Sequence, residues 1–137
     1  MKLINAIATT AVLFSGAIPA FAEGDVAAGE DAFKKCKACH SIVDGDNVIV
    51  KGGKSGPNLY GVIGRVAGSD DFKYSKDLAA AGVAGLEWDE VQLAAFITDP
   101  KAFLQTYLDD SAAKSKMTFK LKSGGEDVAA YLASLAE

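Results

Sequence analysis

The chain holds two cysteines and one histidine, and all three fall within the stretch FKKCKACHSI, as Cys36, Cys39 and His40. Thiolate sulfur and imidazole nitrogen are favoured donors for soft and borderline metals, and a cysteine sulfur is also a strong nucleophile. A structural zinc site takes four tetrahedral ligands, usually from two such pairs. Here there is no second pair and no further histidine, so a carboxylate would have to complete the shell. A thioredoxin-like dithiol sits at a helix N-terminus in a βαβ setting. This pair instead falls at the end of a helical pattern, with no convincing strand pair in the chain. A plain disulfide suits an exported protein, but it leaves the adjacent imidazole without a task.

One reading uses all three residues. Cys-x-x-Cys-His is the attachment signature of c-type haem. On a helical turn, positions i, i+3 and i+4 share a face. Two sulfurs placed in this way can each add across one porphyrin vinyl group, and the imidazole that follows comes to lie beneath the iron. Cys36 and Cys39 therefore read as covalent anchors of one haem c, and His40 as an axial iron ligand. An iron that carries electrons needs a sixth ligand. Beyond residue 22 the chain has one methionine, Met117, in KSKMTFKL. Methionine is ordinarily core filler, yet this one stands in a lysine-rich, polar stretch. Thioether sulfur favours the reduced iron and raises its potential, so Met117 reads as the second axial ligand. With both axial positions closed, the iron suits an electron carrier and not an enzyme. A haem peroxidase, a nitrite-reducing cytochrome or a gas sensor needs an open position, which here means a detached Met117.

These ligands need a frame. GDVAAGEDAFKKC reads as a helix capped by Asp25, with Val26, Gly29 and Phe33 near one face. From Ser41 to about Asp71 the chain is glycine-rich and irregular, and VIV at 48–50 is too short to count as part of a strand pair. Loops of this length in a compact domain usually wrap something functional. YSKDLAAAG predicts a short helix ended by Gly82, and DEVQLAAFITDP a longer one that stops at Asp99-Pro100. The same pair can open a further helix over KAFLQTYL, fading by Asp109. In SGGEDVAAYLASLAE, Ser123 and Glu126 form a capping-box pattern, and Val128, Tyr131, Leu132 and Leu135 follow i, i+3, i+4, i+7 spacing. The expected class is all-α, with about five helices and large loops.

The 137 residues are half hydrophobic and 23% charged, the composition of a single globular domain. The start of the chain is different. Lys2 precedes an apolar run from Leu3 to Ile18, then Pro19, and Ala20-Phe21-Ala22 supplies small residues at the two positions a signal peptidase reads. The run falls short of the roughly 20 apolar residues that a membrane span requires. Residues 1–22 are thus expected to be a cleaved secretory signal peptide, with one domain over 23–137. Loss of Lys2 makes the chain more acidic than the −4 of the whole sequence, which argues against a nucleic-acid partner. The charge is uneven. Lysines gather at Lys34, Lys35 and Lys37, at Lys51 and Lys54, and at Lys114, Lys116, Lys120 and Lys122, with Asp70-Asp71 and Glu87 to Glu90 elsewhere.

From about Gly24 to its C-terminus the sequence resembles a class I cytochrome c, above all the c2-type cytochromes of photosynthetic and related bacteria. GPNLYGVIGRVAG, KMTFKL and GGEDVAAYLASL carry the resemblance together with the haem motif. It implies the class I cytochrome c fold, with helices and long loops wrapped around one covalently bound haem. It also implies that the Pro57 carbonyl accepts the His40 Nδ1–H, a bond that orients the ring and strengthens the ligand. By the same resemblance Arg65, Tyr74 and Trp88 match positions that hydrogen-bond or shield the haem propionates, and Ser115 one near a propionate. Gly29 and Phe33 should meet Val128 and Tyr131 where the first and last helices cross. Phe96 departs from the pattern, standing where relatives commonly carry a tyrosine. The segments 40–57 and 100–117 are longer than in the short mitochondrial type.

The resemblance implies a soluble, monomeric electron carrier of the periplasm. It would take one electron from a cytochrome bc1 complex to a photosynthetic reaction centre or a terminal oxidase. Lysines beside Cys36, around Lys54 and around Met117 would ring the exposed haem edge, with the acids behind. Such asymmetry steers docking to acidic membrane-protein partners despite a negative total charge.

Overall fold

The computed structural model describes residues 23–137; the expected leader over 1–22 lies outside the described residues. Five helices and one small hairpin follow in the order α1 (Val26–Phe33), β1 (Ile42–Asp44), β2 (Asn47–Val50), α2 (Lys76–Val83), α3 (Glu90–Thr98), α4 (Pro100–Tyr107) and α5 (Gly125–Ser134). The class is all-α, as the sequence implies.

The first and last helices form the frame. Asp25 caps α1, its side chain accepting the Ala28 N–H at 2.9 Å. Its own N–H donates to Asp127 Oδ1 at 2.8 Å, tying the start of α1 to the first turn of α5. Gly29 allows the crossing. A Cβ built there would lie 2.8 Å from Tyr131 Cβ and nearer still to the Asp127 carbonyl. Phe33 fills the flanking space, its ring centroid 5.8 Å from that of Tyr131. The expected meeting of Gly29 and Phe33 with the last helix is observed, and α3 packs on another part of α5.

The structure corrects the sequence reading in three places. VIV at 48–50 does belong to a strand pair: β1 and β2 are antiparallel, with Val43 opposite Val48 and Asp44 opposite Asn47. The loop between them is Gly45-Asp46, with Gly45 at φ +56, the residue type and sign that a type II′ hairpin demands at its first central position. Side-chain alternation is weak because Val48 and Ile49 are both exposed. Asn58 supplies the missing order from outside, accepting the Val43 N–H at 2.9 Å and donating to the Val43 carbonyl at 2.8 Å.

Gly82 does not end α2. The helix runs on to Val83, and Gly82 is buried under the Ala67 carbonyl, with the chain reversing at Gly85 instead. Nor does Ser123 cap α5. Gly124 occupies the cap position in a left-handed conformation, φ +83, and no side chain bonds there. Ser123 is one residue too early, so the acidic first turn of Glu126 and Asp127 meets the helix N-terminus instead.

Asp99 is the hinge of the molecule's other half. It follows α3 and caps α4, accepting the Ala102 N–H at 3.0 Å, with Pro100 at the first helical position as expected. Its second oxygen pairs with Lys120 at 2.8 Å, and together these partners hold the Asp99 carboxyl below its ordinary value. Phe33, Ile42, Leu86, Leu104 and Val128 are among the most deeply buried side chains.

Candidate cofactor cleft

After α1 the chain does not straighten; it continues in tight turns. Cys36 N–H donates to Phe33 O at 2.8 Å, Cys39 N–H to Cys36 O at 3.1 Å and His40 N–H to Cys36 O at 3.0 Å. Cys36 to His40 is therefore a single turn carrying two free thiols and the imidazole. Cys36 is half-buried and Cys39 exposed. Burial, then the neighbouring Cys39, pushes the Cys36 thiol up to about 11, against the pull of Lys35.

His40 is 9% exposed. Its Nδ1 lies 2.7 Å from the Pro57 carbonyl oxygen. A carbonyl can only accept, so Nδ1 carries the proton and Nε2 keeps its lone pair. Burial lowers the His40 pKa, and the Pro57 bond only partly opposes this. The ring is thus a neutral imidazole with one nitrogen held and the other available as a donor.

Gly56 makes room for that ring. A Cβ on Gly56 would lie 2.7 Å from both His40 Nδ1 and Nε2. Gly56→Ala is accordingly expected to push the imidazole away from Pro57 and to destabilise the protein by about 2 kcal/mol. The midpoint of denaturant unfolding checks this, and an unchanged midpoint would contradict it.

One cleft of about 350 Å³ touches all of these residues. Cys36, Cys39, His40, Pro57, Arg65, Tyr74, Trp88, Ser115 and Met117 all line it, so four positions singled out by their chemistry and five implied by the resemblance come together. Much of the remaining lining is core: Val62, Leu93, Ile97, Leu121 and Leu132 face the cleft and are otherwise buried. A concave site of this volume, mostly apolar with a few convergent polar groups, has the character of a site for an organic ligand or cofactor. Among the described residues, no three His, Cys, Asp or Glu side chains converge in a way that could hold a metal ion.

Loops place the other lining residues. Gly64 N–H donates to Trp88 O at 2.7 Å and Trp88 N–H to Arg65 O at 2.9 Å, bringing Arg65 and Trp88 to one edge of the cleft. Trp88 packs tilted against Phe96, with centroids 5.0 Å apart, and Phe96 meets Phe103 edge-on at 5.7 Å. Phe96 lines the cleft too, packed between Trp88 and Phe103. Tyr74 packs edge-on to Phe72 at 5.2 Å. Burial and Asp70 push its phenol above the ordinary value, with Arg65 pulling the other way.

Arg65 has more work within the protein than its expected role includes. Its guanidinium donates to Asn58 O at 2.9 Å and to Tyr60 O, and pairs with Asp70 at 3.4 Å. It braces the loop behind Pro57 as well as lining the cleft. Ser115 and Met117 are half-buried in the segment between α4 and α5. Downstream, this segment is fastened by Leu121 N–H to Ile97 O at 2.8 Å and by the Lys120–Asp99 pair.

Three contributors escaped the sequence reading: Gly56, Asn58 and Asp77. Gly56 and Asn58 flank Pro57 in SGPNL, and their neighbourhood is the signal. Asp77 accepts a bond from Lys114, 37 positions later, and no local pattern announces that.

A turn with two thiols and a neutral imidazole faces an apolar cleft that a thioether also lines. No family model matches the chain. Curated proteins do. It is 64% identical over 127 residues to cytochrome c-551 of Roseobacter denitrificans, covering 92% of this chain and 91% of that one. It is 54% identical to cytochrome c2 of Rhodobacter capsulatus over the full length of both. Among solved structures, that of Rhodobacter capsulatus cytochrome c2 superposes with a TM-score of 0.79 at 57% identity, covering 81% of this chain and 97% of that one. Ferric cytochrome c-550 from Paracoccus versutus gives 0.80 at 48% identity, covering 84% and 100%. The chain belongs to the class I c-type cytochromes, in the group that contains cytochromes c2, c-550 and c-551.

The residues present fit the haem c that this family name implies. The cleft offers apolar walls for a macrocycle, two thiols at one turn for its vinyl groups, and both a nitrogen and a sulfur donor. No helix among the described residues is long and apolar enough to cross a membrane.

Proposed function

We propose that this protein is a one-electron carrier, with one haem c attached through Cys36 and Cys39 and its iron ligated by His40 Nε2 and the Met117 sulfur. When bound, the haem supplies a reversible one-electron couple, which thioether ligation biases towards the reduced state. The chain's own residues do the rest. Pro57 holds the His40 proton on Nδ1 and so keeps Nε2 free to donate. The apolar side chains keep water from the cleft, which strengthens every electrostatic interaction inside it. Arg65, Tyr74, Trp88 and Ser115, which line the cleft, would hydrogen-bond or shield the haem propionates. The observation that carries the reading is the gathering of all nine residues around one cleft.

Closed axial positions make the protein a carrier and not an enzyme. We place it in the periplasm, exported by a signal peptide cleaved after Ala22. There it works as a monomer between a cytochrome bc1 complex and a photosynthetic reaction centre or terminal oxidase, in photosynthesis or a respiratory chain. It has no nucleic-acid partner.

Lys35 and Lys116 line the cleft, and Lys37 and Lys54 are exposed close by in sequence to Cys39 and Gly56. Docking through such lysines onto acidic membrane-protein surfaces depends on electrostatic attraction, which salt screens over about 10 Å at 0.1 M. The association rate with solubilised bc1 complex or reaction centre is therefore expected to fall about tenfold or more from low to high ionic strength. A rate indifferent to salt would refute docking by charge.

A further inference from the structure

His40 and Asp77 are the two buried polar or charged residues among the described residues. His40 serves the cleft, whereas Asp77 has no part in the reading above. It sits in the first turn of α2, 7% exposed. Its Oδ2 accepts the backbone N–H of Lys114 at 2.8 Å, three residues before Met117. The nearby cation is Lys76, whose Nζ is 3.8 Å from Oδ1 on a side chain 91% exposed, and an ion pair so solvated contributes little. Taking a carboxylate out of water is unfavourable unless its oxygens are bonded. The bond to Lys114 is the use this fold makes of a buried acid.

A second tether lies next to it. Lys116 Nζ reaches back to the Lys73 carbonyl at 2.8 Å and the Tyr74 carbonyl at 3.3 Å. The chain approaching Met117 is thereby tied to residues 73–77, and Tyr74 and Ser75 of that stretch themselves line the cleft. Ala113, just before the tethered N–H, is buried at 1%. The segment from Ser111 to Ser123 contains no helix or strand, so few backbone bonds of its own hold its shape. Segments of this kind open locally at lower free energy than the rest of a fold. The two ends are also held independently: the downstream end hangs on Asp99 and Ile97, the upstream end on Asp77 of α2 and on Gln105 of α4, which donates to the Ser111 and Ala113 carbonyls.

We propose that Asp77 is a positioning residue which, through the Lys114 N–H, holds the upstream half of the Met117 segment against α2 and so keeps the Met117 sulfur at the cleft. This rests on Met117 being an axial ligand. Asp77 touches neither Met117 nor the cofactor's place; it sets how often the segment opens. A charge-assisted hydrogen bond is about twice as strong as a neutral one, which suits a tether on a loop held otherwise by a few neutral bonds and exposed lysines.

The test uses the ferric holoprotein and imidazole as the probe. Imidazole replaces a thioether only when the segment opens, so the exchange rate counts openings. Asp77→Ala is expected to raise that rate on the order of tenfold, the loss of one charge-assisted bond. Asp77→Asn keeps an accepting amide oxygen and is expected to stay within about threefold of the unsubstituted protein. A role in global stability alone would move the denaturant midpoint without this ranking. The inference is overturned if Asp77→Ala exchanges within about twofold of the unsubstituted protein, or if Asp77→Asn is as fast as Asp77→Ala. Should Asp77→Ala fail to fold, hydrogen exchange at the Lys114 amide of the unsubstituted protein decides: protection supports the tether, and free exchange overturns it. The two readings fail differently. Absence of thioether ligation from the unsubstituted ferric spectrum removes both; its presence, with Asp77→Ala exchanging normally, removes only this one.

Discussion

Met117→Ala is expected to lower the reduction potential of the purified protein by on the order of 0.1 V or more, since axial ligands set haem potentials over about 0.8 V. The argument starts from the donor. Thioether sulfur is soft and stabilises the reduced iron more than the oxidised one, so its removal favours oxidation. Met117 is half-buried and lines the same cleft as His40. Beyond residue 22 the chain offers no other methionine and no other histidine to replace it. The same variant should bind carbon monoxide in its reduced form, which the unsubstituted protein should not. Voltammetry and the absorption spectrum read both effects. A potential and spectrum unaltered by the substitution would show that the sixth ligand lies elsewhere.

Removing every anchor on the other side is expected to cost the protein its fold. In the triple variant Cys36→Ser, Cys39→Ser, His40→Ala, the chain should lose most of its helical circular dichroism at room temperature. The reason lies in the core. Phe33, Val62, Trp88, Leu93, Phe96, Ile97, Leu121, Val128 and Leu132 are core residues, and each also lines the cleft. Burying a large apolar side chain contributes about 1.5–3 kcal/mol. These side chains already shield one another, so the cofactor's contribution is to fill the cleft. About 350 Å³ left empty costs on the order of 8 kcal/mol at roughly 24 cal/mol per Å³, which rivals the roughly 5–15 kcal/mol that hold a whole domain folded. Helices of eight to ten residues, such as α1 and α5, do not persist in water without tertiary packing. Native-like helicity in the triple variant would mean that the cleft is incidental to the fold.

The local geometry was readable from the sequence, and the reasons are physical. Cys36, Cys39 and His40 lie within one turn, so their spacing alone defines how they meet. Asp25 and Asp99 cap helices by bonding N–H groups three residues ahead, a relation that survives in any sequence window. Gly29 and Phe33 announce a close crossing because small and aromatic residues one turn apart have few other uses on a helix. The partner helix came from the resemblance, not from the spacing.

What escaped was set by distant parts of the chain. The hairpin at 42–50 lacks an alternating pattern and is stitched instead by the Asn58 side chain. Gly82 looked like a stop signal, but its task is to admit the Ala67 carbonyl from another loop. Ser123 matched a capping pattern one position early, since a left-handed Gly124 intervenes. Arg65 carries a charge suited to propionates, yet its Asn58, Tyr60 and Asp70 partners follow from how the loop folds back. Asp77 resembles any acid in the first turn of a helix until Lys114 arrives beside it.

The most direct test is the intact mass of the native exported protein after denaturation in acid, with and without thiol alkylation. The account predicts a polypeptide beginning at Glu23 that retains the mass of one haem and takes up no alkylating reagent, because both sulfurs are already bonded to carbon. A bare polypeptide with two alkylatable cysteines would contradict it.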